Sequence, residues 1–124
     1  MDVAYPIPVL ALGATGATLR YLLDGYVGAR FPGSFPRGTF VINVSGSFLL
    51  GLLTGLVVFG GAPRELTDIL GTGFCGAFTT FSTFTFESIR LIEEGAYRRA
   101  ALYVVASLAA GLGAAAVGLV VASV

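Results

Sequence analysis

The sequence predicts an all-α membrane protein with four transmembrane helices per chain. Three observations carry this. Hydrophobic residues make up 56% of the 124 and charged residues 11%, where soluble domains carry about 25% charged residues; mean hydropathy is +0.89. Charges divide the chain into four uncharged runs, at 3–19 (continuing past Arg20 to 23), 39–62, 69–86 and 100–124, each near the roughly 20 apolar residues that span hydrocarbon. The segments between them are polar or helix-breaking.

The first run predicts a helix over about 4–23. Asp2 and the absence of a basic N-terminal region argue for a retained span rather than a cleaved signal peptide. "DGYVGARFPGSFPRG" (24–38) carries Pro32, Pro36 and four glycines, so it reads as a loop. The second helix is expected over 39–60, with Gly51 and Gly55 spaced for close helix contact. "GGAPRE" (60–65) is a tight turn whose Pro63 suits a helix start. The third helix, over 65–94, carries "GAFTTFSTF" (76–84), which has no Leu, Ile or Val and is a poor helix former. A break near 76–80 is expected there. "IRLIEEGAYRRA" (89–100) is charged, with Arg90–Glu94 and Glu94–Arg98 at i,i+4 spacing and Gly95 marking a break. The fourth helix is expected over 97–122, with Ala110, Ala114 and Gly118 as a second small-residue face. The whole chain, 1–124, reads as a single transmembrane domain.

Composition excludes several functions. There is no Lys and only seven Arg, so no basic stripe suggests nucleic acid. The absence of His excludes a His-liganded metal, a haem or a His general base. The single Cys75 excludes an intrachain disulfide and a Cys-cluster metal site, and reads as a small buried side chain. No serine has a base beside it, as a hydrolase requires; the chain is not expected to be an enzyme.

Several residues inside the spans ask for a reason. Arg20 near the end of helix 1 is either a snorkelling side chain or part of an anion-attracting vestibule. Asn43, Ser47 and Thr54 share one helical face; they make interhelical hydrogen bonds or a donor row facing a polar pathway. Tyr103 and Ser107 repeat the i,i+4 pattern, and Gly111 extends it without a side chain; Tyr103 reads equally as a membrane-interface belt residue. A break at 76–80 would free carbonyls from the first half helix, which could coordinate a cation. The second half would begin near Phe81 and put Phe81 and Phe84 on one face, where ring edges of positive quadrupole charge can meet an anion. Glu87 is the one carboxylate near a span interior, close to the end of helix 3.

At these residues the sequence resembles the small fluoride channels of the Fluc/CrcB family. "GATGATLRY" (13–21) is similar to the family's G-G-x-x-G-A-x-x-R-Y, with Ala14 in place of the second glycine. "GTFVINVSGSFLLG" (38–51) matches G-T-x-x-x-N-x-x-G-x-F-x-x-G, and "GTGFCGAFTTFSTF" (71–84) matches G-x-x-G-x-x-T-T-F-S-T-F. The resemblance implies passive, voltage-driven, fluoride-selective export across the cytoplasmic membrane of a prokaryote, by an antiparallel dual-topology homodimer in the lipid bilayer. It implies an ion pathway of Asn43, Phe81, Phe84, Ser82, Thr83, Tyr103 and Ser107, with Arg20 and Glu87 near the membrane ends. It also implies a structural Na⁺ at the dimer two-fold, held by the backbone carbonyls of Gly76 and Thr79.

The arginine distribution adds one point. The 24–38 and 95–99 connections hold Arg30, Arg37, Arg98 and Arg99, and the opposite side Arg64 alone. By the positive-inside rule both termini lie outside. That bias keeps open a heterodimer with an oppositely oriented paralogue. Two other readings compete. A small multidrug-type, proton-coupled exporter would carry a glutamate within helix 1 and membrane tryptophans, and the chain has neither. A non-transporting scaffold subunit would tolerate loss of Asn43 or of the two phenylalanines.

Overall fold

The computed structural model of the chain describes residues 6–33 and 35–124. Its regular structure is helical throughout these residues. Three helices are long and apolar enough to cross a membrane: α1 (Pro6–Arg30), α2 (Arg37–Val58) and α5 (Tyr97–Ser123). Between α2 and α5 lies a segmented unit. A π-helical stretch (Thr67–Cys75) runs into the single turn α3 (Gly76–Phe78), and α4 (Phe81–Glu93) follows after a two-residue interruption. The chain is therefore a multi-pass membrane protein with three continuous helices and one broken one.

Several boundaries differ from the sequence expectation, and the largest difference has a physical reason. Helix 1 was expected to end at 23, but α1 runs two turns further, to Arg30. Gly25 and Gly28 each cost about 1 kcal/mol relative to alanine in a helix. Burial of Val27 at 6% exposure offsets a comparable amount, and Arg30 in the last turn suits the negative end of the helix dipole. The helix stops where Phe31 precedes Pro32, since a residue before proline is disfavoured in the α region. The expected start at residue 4 lies outside the described residues. Helix α2 spans 37–58 rather than 39–60, and α5 ends at 123 rather than 122. Gly95, at φ +77°, turns the chain between α4 and α5. The Arg90–Glu94 pair forms at 3.1 Å. The expected Glu94–Arg98 pair is not present among the described residues, because that turn separates its members.

Packing follows the glycines. A Cβ on Gly51 would meet the backbone of Ala115, and one on Gly55 would lie 2.6 Å from Ala122 Cβ and 3.0 Å from Leu119 O. With no side chain at either position, α2 and α5 come into backbone contact. Facing partners advance together (47 with 111, 51 with 115, 55 with 119), so these two helices run parallel. Gly118 closes the seam from the other side, where a Cβ would lie 2.7 Å from Leu52 N. Ala110 and Ala114, expected to share that role, are only partly buried. Helix α1 packs on the π-helical stretch by the same device: a Cβ on Gly16 would lie 2.6 Å from Phe74 O.

Candidate functional site

The interruption in the third unit falls at Thr79 and Thr80, inside the interval the sequence marks. Both residues are extended, with φ, ψ of −79°, 160° and −146°, 122°. Cys75 O closes the first half by accepting from Thr79 N at 2.9 Å and Thr79 Oγ1 at 2.8 Å. Thr80 opens the second half as an N-cap, its Oγ1 accepting from Thr83 N at 3.2 Å. Threonine is a favoured residue at that position because its hydroxyl satisfies an otherwise orphan N–H.

Asn43 on α2 holds the gap. Its Oδ1 accepts from Thr80 N at 2.9 Å, and its Nδ2 donates to Thr80 O at 3.0 Å. One side chain therefore satisfies both backbone groups of the residue that left the helix. This has a consequence for the carbonyls. In an unbroken helix Thr80 N would bond Gly76 O and Thr83 N would bond Thr79 O. Both donors are diverted here, the first to Asn43 and the second to the Thr80 hydroxyl. Gly76 and Thr79, the two residues singled out for their carbonyls, thus lose the donors an unbroken helix would give them, as do Ala77 and Phe78 across the same break.

Asn43, Gly76, Thr79, Phe81 and Phe84 line one groove of about 300 Å³, shared with Ser47. Phe81 is 78% exposed on its rim. Its ring lies 6.2 Å from that of Phe84, tilted by 39°. Phe84 in turn packs at 5.1 Å on Tyr103, which is fully buried and also meets Phe35 edge-on at 5.5 Å. Tyr103 is therefore a core residue and no belt residue. Its hydroxyl donates to Glu87 Oε1 at 3.3 Å, and the buried Thr39 lies beside both. Ser107 Oγ, one turn further along α5, is buried with no partner.

The remaining expected residues lie elsewhere. Arg20 and Thr83 line a second cavity of about 200 Å³ on the α1 side of the break, with Asp24, Thr39 and Thr80. Glu87 also borders a small cleft with Arg90 and Glu94. Ser82 is exposed on α4. Thr54, expected on the Asn43–Ser47 face as a donor, gives its hydroxyl to Leu50 O at 2.8 Å instead. Two residues escaped the sequence reading. Thr80 is at once the clamp's ligand and the N-cap, and its signal was a Thr three residues before Thr83 at the start of a helix. Thr39 sits one helical turn before Asn43 on the same face, so the periodicity that flagged Asn43 and Ser47 would have reached it.

The helices and the clamped break define a class: a small polytopic membrane protein whose polar groups converge on an interrupted helix, with no cluster of three or more His, Cys, Asp or Glu among the described residues. Residues 7–119 match the family described as CrcB-like protein, Camphor Resistance (CrcB), and the chain belongs to that family. It is 50% identical over 117 residues to "Fluoride-specific ion channel FluC 1" of Leifsonia xyli, covering 92% of this chain and 85% of the relative. The protein of the same name from Streptomyces avermitilis is 53% identical over 110 residues, 89% of each chain. "Fluoride-specific ion channel FluC 2" of Moorella thermoacetica is 47% identical over 100 residues, 81% of each chain.

Proposed function

We propose that the chain is a fluoride-selective channel that lets fluoride leave the cell passively across the cytoplasmic membrane of a prokaryote. The names of relatives at about 50% identity support the ion. The geometry that carries the reading is the clamp. Asn43 has two N–H groups; one is spent on Thr80 O, and the other remains for an ion in the groove that Asn43 lines with Phe81 and Phe84. Fluoride is small and tightly hydrated, so a pathway must replace its water with donors at close quarters. Amide and hydroxyl donors do so without a fixed positive charge that would trap the ion, and phenylalanine ring edges extend the path through apolar surface.

Ser82, Thr83, Tyr103 and Ser107 supply hydroxyls in this reading, and Arg20 and Glu87 stand near the ends. Because hydrogen fluoride is a weak acid that enters cells neutral and dissociates inside, the interior-negative potential drives the anion out. No energy coupling and no covalent chemistry are needed, so the protein is a conduit and not an enzyme.

The working unit is an antiparallel homodimer, with one Na⁺ on its two-fold. The donor set fits that ion: carbonyl oxygens suit a hard cation, and those of Gly76 and Thr79 have lost their helical partners. Bound there, Na⁺ would supply the positive charge that holds four carbonyls of two chains together. The excess of arginine on one side, and relatives numbered FluC 1 and FluC 2, also support pairing with an oppositely oriented paralogue. Fluoride efflux from liposomes, with chloride as control, tests the function. Fluoride flux without chloride flux supports it. A proton-driven flux of organic cations would replace it with the multidrug-type exporter.

A further inference from the structure

Hydroxyls in membrane helices commonly donate to a carbonyl one turn back, and most in this chain do so. Thr15, Thr18, Ser45, Thr54, Thr85 and Ser88 each reach the carbonyl four residues earlier, at 2.7 to 2.9 Å. Ser107 on α5 and Ser47 on α2 make no such bond; nor do Ser82 and Thr72, which lie on other elements. Ser107 Oγ is buried and unpartnered, and Ser47 Oγ makes no hydrogen bond among the described residues. Both lie on the parallel seam between α2 and α5. Thr39 meets Tyr103 at its first level, Ser107 lies one turn on, and Ser47 faces Gly111 one turn beyond that.

Gly111 is the informative neighbour. A Cβ built there would lie 3.6 Å from Ser47 Oγ, and nothing else beyond its own stretch of helix comes within 4 Å of it. The line Tyr103, Ser107, Gly111 therefore ends at a vacant position on α5, and the Ser47 hydroxyl of α2 stands against that vacancy. Ser47 also lines the groove with Asn43 and Phe81. Past this level Gly51 meets Ala115, and Gly55 meets Leu119 and Ala122.

We propose that Ser47 is the hydroxyl donor of the anion pathway at the level of Gly111, so that the donor line crosses from α5 to α2 there. The inference rests on the fluoride-channel reading. A hydroxyl that owes no bond to its own helix can turn its O–H toward a passing anion without first breaking one. Thr54, two turns further along α2, cannot.

The experiment compares the parent, Ser47→Ala and the double variant Ser47→Ala/Gly111→Ser in liposome fluoride efflux. Elution volume and melting temperature are read for each, and chloride flux serves as control. Ser47→Ala is expected to slow fluoride about tenfold, the ratio that losing one hydrogen bond to a charged partner produces, with elution and melting unchanged. The double variant returns a hydroxyl to the same space from the other helix and is expected to recover most of the flux. Parent-like flux in Ser47→Ala overturns the inference and leaves the channel reading standing. A slow Ser47→Ala that Gly111→Ser does not rescue also overturns it, because the loss is then one of packing. A parent that passes no fluoride overturns the channel reading itself, and the inference with it.

Discussion

Replacing Asn43 with alanine removes both halves of the clamp at once. Thr80 is buried, and its N–H and C=O lose bonds of 2.9 and 3.0 Å. A net hydrogen bond contributes about 1 kcal/mol, and a buried group left unsatisfied costs about 1–3 kcal/mol. Two groups, partly relieved by water from the adjoining groove, give ~2–4 kcal/mol against the ordered break. That is a shift of roughly 30- to 1000-fold in the ratio of ordered to disordered break. Thermal unfolding in detergent and liposome fluoride efflux together measure it. Asn43→Ala should melt earlier and lose fluoride flux. Asn43→Asp separates the two effects: it keeps the acceptor for Thr80 N–H but loses the donor to Thr80 O. Its melting point should fall between parent and alanine, while its added negative charge leaves fluoride flux as low as in Asn43→Ala. If Asn43→Ala melts and conducts like the parent, the clamp neither orders the break nor serves the ion.

The other predictions concern packing, capping and the rings. Gly51→Leu should prevent folding, since even a Cβ there meets the Ala115 backbone; Gly28→Ala, with nothing within 4 Å, should raise stability by about 0.5–1 kcal/mol, both read by melting temperature. Thr80→Val should cost about 1 kcal/mol through loss of the N-cap, and Thr80→Ser should recover most of it. Phe84→Ile should lower both melting temperature and fluoride flux, because it also loses the Tyr103 contact at 5.1 Å. Phe81→Ile, at a 78% exposed position, should lower flux with little change in the stability of the single chain.

The helices were legible because hydrocarbon imposes its length on the sequence, and charges gather at span ends and between spans. The break was legible because "GAFTTFSTF" offers little for a lipid-facing helix to bury. Its mechanism was not legible, since Asn43 and Thr80 are 37 positions apart and a side chain's choice between neighbours is settled only by packing. The overrun of α1 to Arg30 was hidden for a related reason. Gly25 and Gly28 signal a loop locally, and the burial of Val27 that outweighs them is a tertiary fact. The same holds for Thr54, whose place on the helical face was read from spacing but whose hydroxyl is spent on Leu50 O. For Tyr103, position near a helix start left an interface residue and a hydroxyl track both open, and its burial against Phe84 and Phe35 rules out the first.

A planar-bilayer recording of the purified protein, with unequal fluoride concentrations on the two sides, chloride making up the balance and equal pH on both, tests the central claim most directly. A passive fluoride channel carries a current that reverses near the fluoride equilibrium potential and does not move when a pH gradient is added. No current, a reversal set by chloride, or a reversal that follows the proton gradient would contradict it.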